Sequence, residues 1–219
     1  MISGAVFDAD GTLLDSMPIW YDVGDRYLRS CGVTPPENLW RRYFTMGIDE
    51  AATDMKEHFH LPQSVDEVKQ GYMDIVGKFY REECVLKPGA AAFLRELNRR
   101  GVPIILATAN DASMARTALR HNGVLDLFAD TISCEDFGTT KREPFIYEEA
   151  ARRIGSPVAE TAVFEDIYMA VRTAHDAGFY TVAMEDGASA EEKPAIQRTA
   201  DRYITDFSEL DLSLFASSL

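Results

Sequence analysis

Two aspartates, Asp8 and Asp10, follow the apolar pair Val6 and Phe7 in the stretch AVFDADGTLLDS, and Gly11 and Thr12 come directly after them. Two carboxylates this close to a buried strand are costly, because each loses water and the charges repel. A hard divalent cation among them would offset that cost. Mg2+ takes oxygen ligands, keeps several waters and is usually held by one or two carboxylates plus a substrate phosphate. Residues two apart in an extended segment point to one side. One carboxylate can then act as a nucleophile that forms an acyl-phosphate. The other can protonate the leaving alcohol and later take a proton from the attacking water. Further along, Thr108 in LATAND offers a hydroxyl to a phosphoryl oxygen, and the NH groups of Ala109 and Asn110, at an expected helix start, favour an anion. Lys141 in TTKREPF supplies an ammonium that can screen Asp8 and bind the phosphoryl group, and Glu165 and Asp166 in VFEDIYMA add two more carboxylates. Phosphoryl transfer asks mostly for such positioning and charge neutralisation.

These residues can meet only if the elements before them end at one edge. Four apolar runs, ISGAVFD, VPIILAT, TAVFED and YTVAM, lack clean alternation and read as strands buried on both faces. Ala90, Phe93, Leu94 and Leu97 follow a helical period stopped by Gly101. Tyr147, Ala150, Ala151 and Ile154 do so before Gly155, and Ile167, Ala170, Val171 and Ala174 before Gly178. Strand alternating with helix predicts an α/β fold with a doubly wound parallel sheet, whose ligands bind at the carboxyl ends of the strands. DRYITDF is a candidate last strand. Residues 17–84 hold no buried strand and read as a helical domain inserted after the first strand, with turns at GVTPPEN and HLPQSVDE. Residues 1–16 and 85–219 make the sheet domain. The insertion carries 12 acidic and 8 basic residues, so −4 of the net −14 lies there and −10 on the sheet domain.

The motifs resemble those of the haloacid dehalogenase-like (HAD) hydrolase superfamily. DADGTLLDS is similar to its first motif, LAT ending in Thr108 to its second, Lys141 with Pro144 to its third, and FED to its fourth. The insertion ahead of LKPGAAAFLREL is placed like the helical cap of the β-phosphoglucomutase and phosphoglycolate phosphatase-like subfamily. The resemblance implies a Rossmann-like core, Asp8 as nucleophile and Asp10 as acid/base. It implies Mg2+ held by the Asp8 carboxylate, the Asp10 carbonyl and Asp166, with Glu165 alongside, and a cap that opens and closes over the site. Two departures stand out. Ile167 replaces the Ser or Thr that often follows the acidic pair, and Met169 or Ala170 stands near the usual Gly. Trp20 and Asp49 occupy the places where the mutases carry His and Arg. An Asp cannot grip a second phosphate as Arg does. Asp10 also argues against the dehalogenase and phosphonate-cleaving branches.

The expectation is a Mg2+-dependent phosphatase of a small phosphorylated metabolite. A sugar phosphomutase, a non-catalytic phospho-ligand-binding protein and a signalling receiver domain rank behind it. The chain, at 219 residues, is too large for a receiver domain, and a binder would not need Asp8, Asp10, Thr108, Lys141 and Asp166 together. The acidic balance and the lack of a basic stripe exclude a nucleic-acid partner, and no apolar run reaches the ~18 residues of a membrane span. With no secretory signal in MISGAVFDAD and the odd cysteines Cys31, Cys84 and Cys134 reading as reduced and buried, a cytoplasmic monomer is expected. His58 and His60 lack a third ligand, and His121 and His175 read as surface helix residues. Trp20, Tyr21, Trp40, Tyr43 and Phe44 are expected in the cap core, with a substrate face as the alternative. Arg41 and Arg42 are expected on a solvated face, with an anionic leaving group as theirs.

Overall fold

The computed structural model describes residues 1–43 and 46–217; Phe44 lies outside the described residues. The elements begin with β1 (Gly4–Phe7), α1 (Met17–Ser30), α2 (Trp40–Tyr43), α3 (Ile48–His58), α4 (Val65–Glu82) and α5 (Ala90–Arg99). They continue with β2 (Ile104–Thr108), α6 (Ala112–His121), β3 (Asp130–Ser133), α7 (Phe145–Arg153) and β4 (Thr161–Glu165). The last are α8 (Tyr168–Asp176), β5 (Tyr180–Met184), α9 (Lys193–Thr199) and β6 (Arg202–Ile204). Contacts divide the chain into two compact units, Met1–Asp15 with Cys84–Leu219, and Ser16–Glu83.

The first unit is built on a six-stranded parallel sheet in the order β3-β2-β1-β4-β5-β6. The doubly wound sheet predicted from the apolar runs therefore forms, with DRYITDF supplying β6. Its order reverses between β1 and β4, where such a sheet leaves a crevice beyond the strand ends. Alternation along β1 sends Val6 and Phe7 to opposite faces. Val6 packs with Ile105, Val163, Ile146 and Tyr147. Phe7 stacks on Phe164 with ring centroids 4.2 Å apart and meets Phe93 edge-on at 6.4 Å. Both faces are thus closed by apolar side chains, and the strand ends are fixed where polar residues emerge. Beyond β1, the turn 9–14 is pinned to the segment leading into α5. Asp15 N donates to Val85 O at 2.9 Å, Lys87 N donates to Leu13 O at 2.8 Å, and Leu14 bridges Leu86 antiparallel.

The second unit is helical throughout its described residues outside the turns, as the sequence led us to expect. α4 packs against both α1 and α3, around a core that includes Tyr27, Leu28, Leu39, Met55 and Val68. Ser64 opens α4 with a capping box: Glu67 N donates to its hydroxyl and Ser64 N donates to the Glu67 carboxylate. Tyr43 joins this core. Trp20 is half-buried, Trp40 sits edge-on to Tyr21 at 5.1 Å, Arg41 is exposed, and Arg42 grips Asp54 through two 2.6 Å bonds. Asp49 is exposed and paired with Lys69. His58, His60, His121 and His175 are exposed, and the metal-competent group found among the described residues includes none of them. All three cysteines are free; Cys84 and Cys134 are buried, but Cys31 is half-buried, because it follows the exposed last turn of α1.

Candidate active site

Three strand ends deliver the polar residues. Asp8 follows β1, Thr108 closes β2, Glu165 closes β4 and Asp166 follows it. β1 stops at Phe7, and Asp8 and Asp10 stand just beyond it, Asp10 forming a β-bridge with Leu14. Asp8 N still donates to Phe164 O at 3.0 Å, which carries the β1–β4 ladder one residue further. The turn closes as Leu13 N and Leu14 N both donate to Ala9 O, at 3.0 and 2.8 Å.

Lys141 is the hub. It is only 4% exposed, and its ammonium donates to Asp8 Oδ1 and to Glu165 Oε1, the latter at 2.6 Å. Burial alone would lower its pKa, but the two carboxylates together outweigh that and hold it above the usual lysine range. Glu165 Oε1 also accepts from the Tyr147 hydroxyl at 2.8 Å, while its Oε2 is buried with no hydrogen-bond partner. The Thr12 hydroxyl, fully buried, lies 3.3 Å from Asp8 Oδ2 and 3.2 Å from Asp166 Oδ1. It has one proton to give, so it serves one of the two at a time. On the other side of the turn, Asn110 Nδ2 donates to Asp10 Oδ2 at 2.9 Å.

Burial raises the pKa of Asp8, against the pull of Lys141 and with the help of Asp10. Burial drives Glu165 up to about 7, again against Lys141. Asp166 rises well above the carboxylate range through burial and the charges of Asp8 and Glu165. Burial, with the Glu165 charge added, keeps the Tyr147 phenol protonated and so a donor. Three buried carboxylates thus face one ammonium, and one oxygen of Glu165 is left unsatisfied. Asp8, Glu165 and Asp166 each offer an oxygen within 4.8 Å of the others. An all-oxygen, net negative and under-satisfied set could hold a hard metal cation. Gly11 leaves room for it: its φ is +81°, and a Cβ there would lie 2.4 Å from Asp166 Oδ2.

The structure thus brings Asp8, Lys141, Glu165 and Asp166 together. Asp10 is joined to the β2 end through Asn110. The Thr108 hydroxyl, 1% exposed as a residue, accepts from Asn110 N at 3.1 Å. One expectation is corrected. α6 begins at Ala112 and is capped by Asp111, whose carboxylate accepts from Ser113 N at 2.7 Å, so Ala109 and Asn110 precede the helix and do not open it. Sequence reasoning missed Thr12 and Tyr147. Thr12 stands in the first motif and was legible as a buried hydroxyl near two carboxylates. Tyr147 was read as an apolar helix position, and nothing in a helical period shows where its hydroxyl goes.

The description haloacid dehalogenase-like hydrolase matches residues 2–178. A Drosophila melanogaster protein named probable pseudouridine-5'-phosphatase is 30% identical over 213 residues, covering 94% of this chain and 91% of that protein. A phosphoglycolate phosphatase of Rhodobacter capsulatus is 27% identical over 223 residues, covering 96% and 95%. Among solved structures, an HAD family hydrolase of Deinococcus radiodurans R1 with bound phosphate and sodium shares the fold, with a TM-score of 0.74 at 22% identity over 97% of this chain and 95% of that one. No helix among the described residues is long and apolar enough to cross a membrane. The family match runs from β1 to the end of α8 and takes in every carboxylate, hydroxyl and ammonium group of the cluster. The chain therefore belongs to the haloacid dehalogenase-like hydrolases.

Proposed function

We propose that this chain is a Mg2+-dependent phosphatase that hydrolyses a small phosphomonoester through a phospho-Asp8 intermediate. The observation that carries the reading is the buried Asp8–Lys141–Glu165 network beside Asp166 at the β1–β4 crevice. The names of the relatives, both phosphatases of small phosphorylated compounds, support it. Asp8, the Asp10 carbonyl and Asp166 would hold the Mg2+, with Glu165 alongside, and the ion would neutralise charge on the phosphoryl oxygens.

The protein groups then divide the work. The Asp8 carboxylate attacks phosphorus, and the bond to the leaving oxygen breaks. Asp10 gives that oxygen its proton. In the second half, water attacks the acyl-phosphate, Asp10 takes the water's proton, and Asp8 and inorganic phosphate are released. Lys141 holds Asp8 in place and offers positive charge to the phosphoryl group. Thr108 and the backbone NH of Ala109 bind phosphoryl oxygens, while the Asn110 NH, expected to do the same, donates to the Thr108 hydroxyl and leaves that hydroxyl's proton to point at the phosphoryl group. The Asn110 carboxamide holds Asp10. The helical unit Ser16–Glu83 serves as a cap that selects the leaving group. A mutase would need a cation in that unit to grip a second phosphate. The acidic, exposed Asp49 stands where one is expected, so the mutase reading is set aside.

Hydrolysis of an aryl phosphate by the wild type and by Asp8→Asn, each with Mg2+ and with chelator, tests the reading. Turnover only with Mg2+ and only with Asp8 intact is the expected result, followed by a panel of sugar and short-acid phosphates. A wild type inert on both, or an active Asp8→Asn, overturns it.

A further inference from the structure

A second ion pair, with its carboxylate buried and its ammonium half-buried, lies beside the acidic cluster and has no part in the chemistry above. Asp186, just beyond β5, is 6% exposed, and its Oδ2 accepts from Lys87 Nζ at 2.6 Å. Its other oxygen, Oδ1, accepts from Ala188 N at 2.8 Å, so the carboxylate is held at both ends. Lys87 is held too. Its backbone NH donates to Leu13 O in the turn that carries Asp10 and Gly11, and its ammonium lies 3.9 Å from Asp15.

Gly11 shows how close this pair comes to the proposed metal ligands. The point where its Cβ would stand is 2.4 Å from Asp166 Oδ2 and 3.5 Å from Asp186 Cγ. The two carboxyl groups are therefore no further apart than about 6 Å, within the range at which charges shift one another strongly. The Asp186 charge is among those acting on Asp166. A buried charge this near a cation site cannot be neutral to it, because little solvent screens the interaction.

We propose that the Lys87–Asp186 pair tunes how tightly the Asp8–Asp166 cluster holds its divalent cation, Asp186 raising the affinity and Lys87 lowering it. The proposal rests on the reading that this cluster binds Mg2+. Both are positioning residues: neither touches the reacting atoms. The two halves of the pair act with opposite sign. Removing the Asp186 charge leaves the ammonium with only the exposed, more distant Asp15 carboxylate to offset it, and so repels the cation. Removing the Lys87 charge leaves an uncompensated carboxylate and attracts it. A merely structural pair would behave differently, since breaking it from either side would loosen the same turn and weaken binding both times.

The test is calorimetric titration of Mg2+ into the wild type, Asp186→Asn, Lys87→Met and the double variant, with thermal unfolding recorded in parallel. Asp186→Asn keeps the oxygen that caps Ala188. It should bind Mg2+ about tenfold more weakly, the size typical of outer ligand partners. Lys87→Met should bind about threefold or more tightly, as expected for an added charge at this range. The double variant should return to within about twofold of the wild type, because the charge effects cancel. If Lys87→Met does not fold, Asp186→Asn and the double variant carry the comparison. Weakening in both single variants, or no change in either while the wild type binds Mg2+, overturns this proposal alone. A wild type that takes up no Mg2+ removes the proposed metal site and this proposal with it.

Discussion

Removing divalent cations and raising the pH should together destabilise the sheet unit, by an amount that follows from the acidic cluster. Burial pushes Glu165 from an ordinary 4.5 up to about 7. An acid whose pKa is raised by folding contributes stability that is fully present below its unfolded value and lost as the pH climbs through its folded value. For one carboxyl moved from 4.5 to about 7 the loss is about 3 kcal/mol. Asp8 and Asp166 are raised as well, so the proton belongs to the set. A loss of this size is a large part of the 5–15 kcal/mol, roughly, that holds a domain folded. The arginine-paired surface carboxylates act with the opposite sign but in a different window. Arginines hold Glu96 and Glu149 at about 2, and the stability they give is complete above an ordinary carboxylate value. Urea unfolding in chelator at several values between about pH 5 and about pH 8 isolates the buried set. Stability should fall by about 3 kcal/mol across that range, and saturating Mg2+ should flatten the fall, because the cation replaces the protons. A flat profile in chelator, or a slope that Mg2+ leaves unchanged, would refute the reasoning.

Three further outcomes are expected. Gly11→Ala should cost about 1–2 kcal/mol for its left-handed backbone, yet lose much more activity than stability, since its methyl would strike Asp166 Oδ2; full activity at ordinary Mg2+ would contradict this. In the helical unit, Gly71→Ala would place a Cβ 2.6 Å from the Tyr27 ring, which the core holds in place. It should destabilise by about 1–3 kcal/mol despite the better helix propensity of alanine, and a rise in unfolding temperature would show that the ring yields. Burial pushes the Cys84 thiol up to about 12, with Asp10 and Asp15 adding to it, and burial raises Cys134 against the pull of Lys141. A thiol reagent at about pH 8 should therefore label Cys31 alone in the folded protein. Mass spectrometry of the labelled peptides checks this, and rapid modification of Cys84 would count against it.

The sheet was legible because its central strands are apolar on both faces, short, and alternate with helical patterns, as covered parallel strands do. β3 was not. Its four residues, DTIS, begin with a charge and form the edge of the sheet, so no apolar run marks them. α6 was expected to start too early, at Ala109 and Asn110, because Ala112, Ala115 and Ala118 fill most of its buried face and carry little hydropathic signal, with Leu119 the one large apolar residue there. The carboxylates and Thr108 were legible from residue type and from their places after strands, and Lys141 from its place before the helical run REPFIYEEAARRIG. What could not be read was who serves whom. Ile167 left the polar support of Asp166 in question, and the structure supplies it from Thr12, 154 residues away in sequence. Asp186 and Lys87 went unnoticed because each is an ordinary charged residue until the β5 end and the segment before α5 are brought together.

The zipped segments 13–15 and 85–87 form, in effect, the stem of a hairpin whose loop is the whole helical unit. From the standpoint of the sheet, any polypeptide with neighbouring ends completes the same stem. Lengthening such a loop is cheap, about 0.6 kcal/mol for each doubling. The stretch between Asp15 and Cys84 can thus change in length at little entropic cost to the sheet unit. On the proposed reading of the helical unit as a cap, the chemistry and its selectivity would sit on separable stretches of gene, and descent could retarget one by grafting while the other stays fixed.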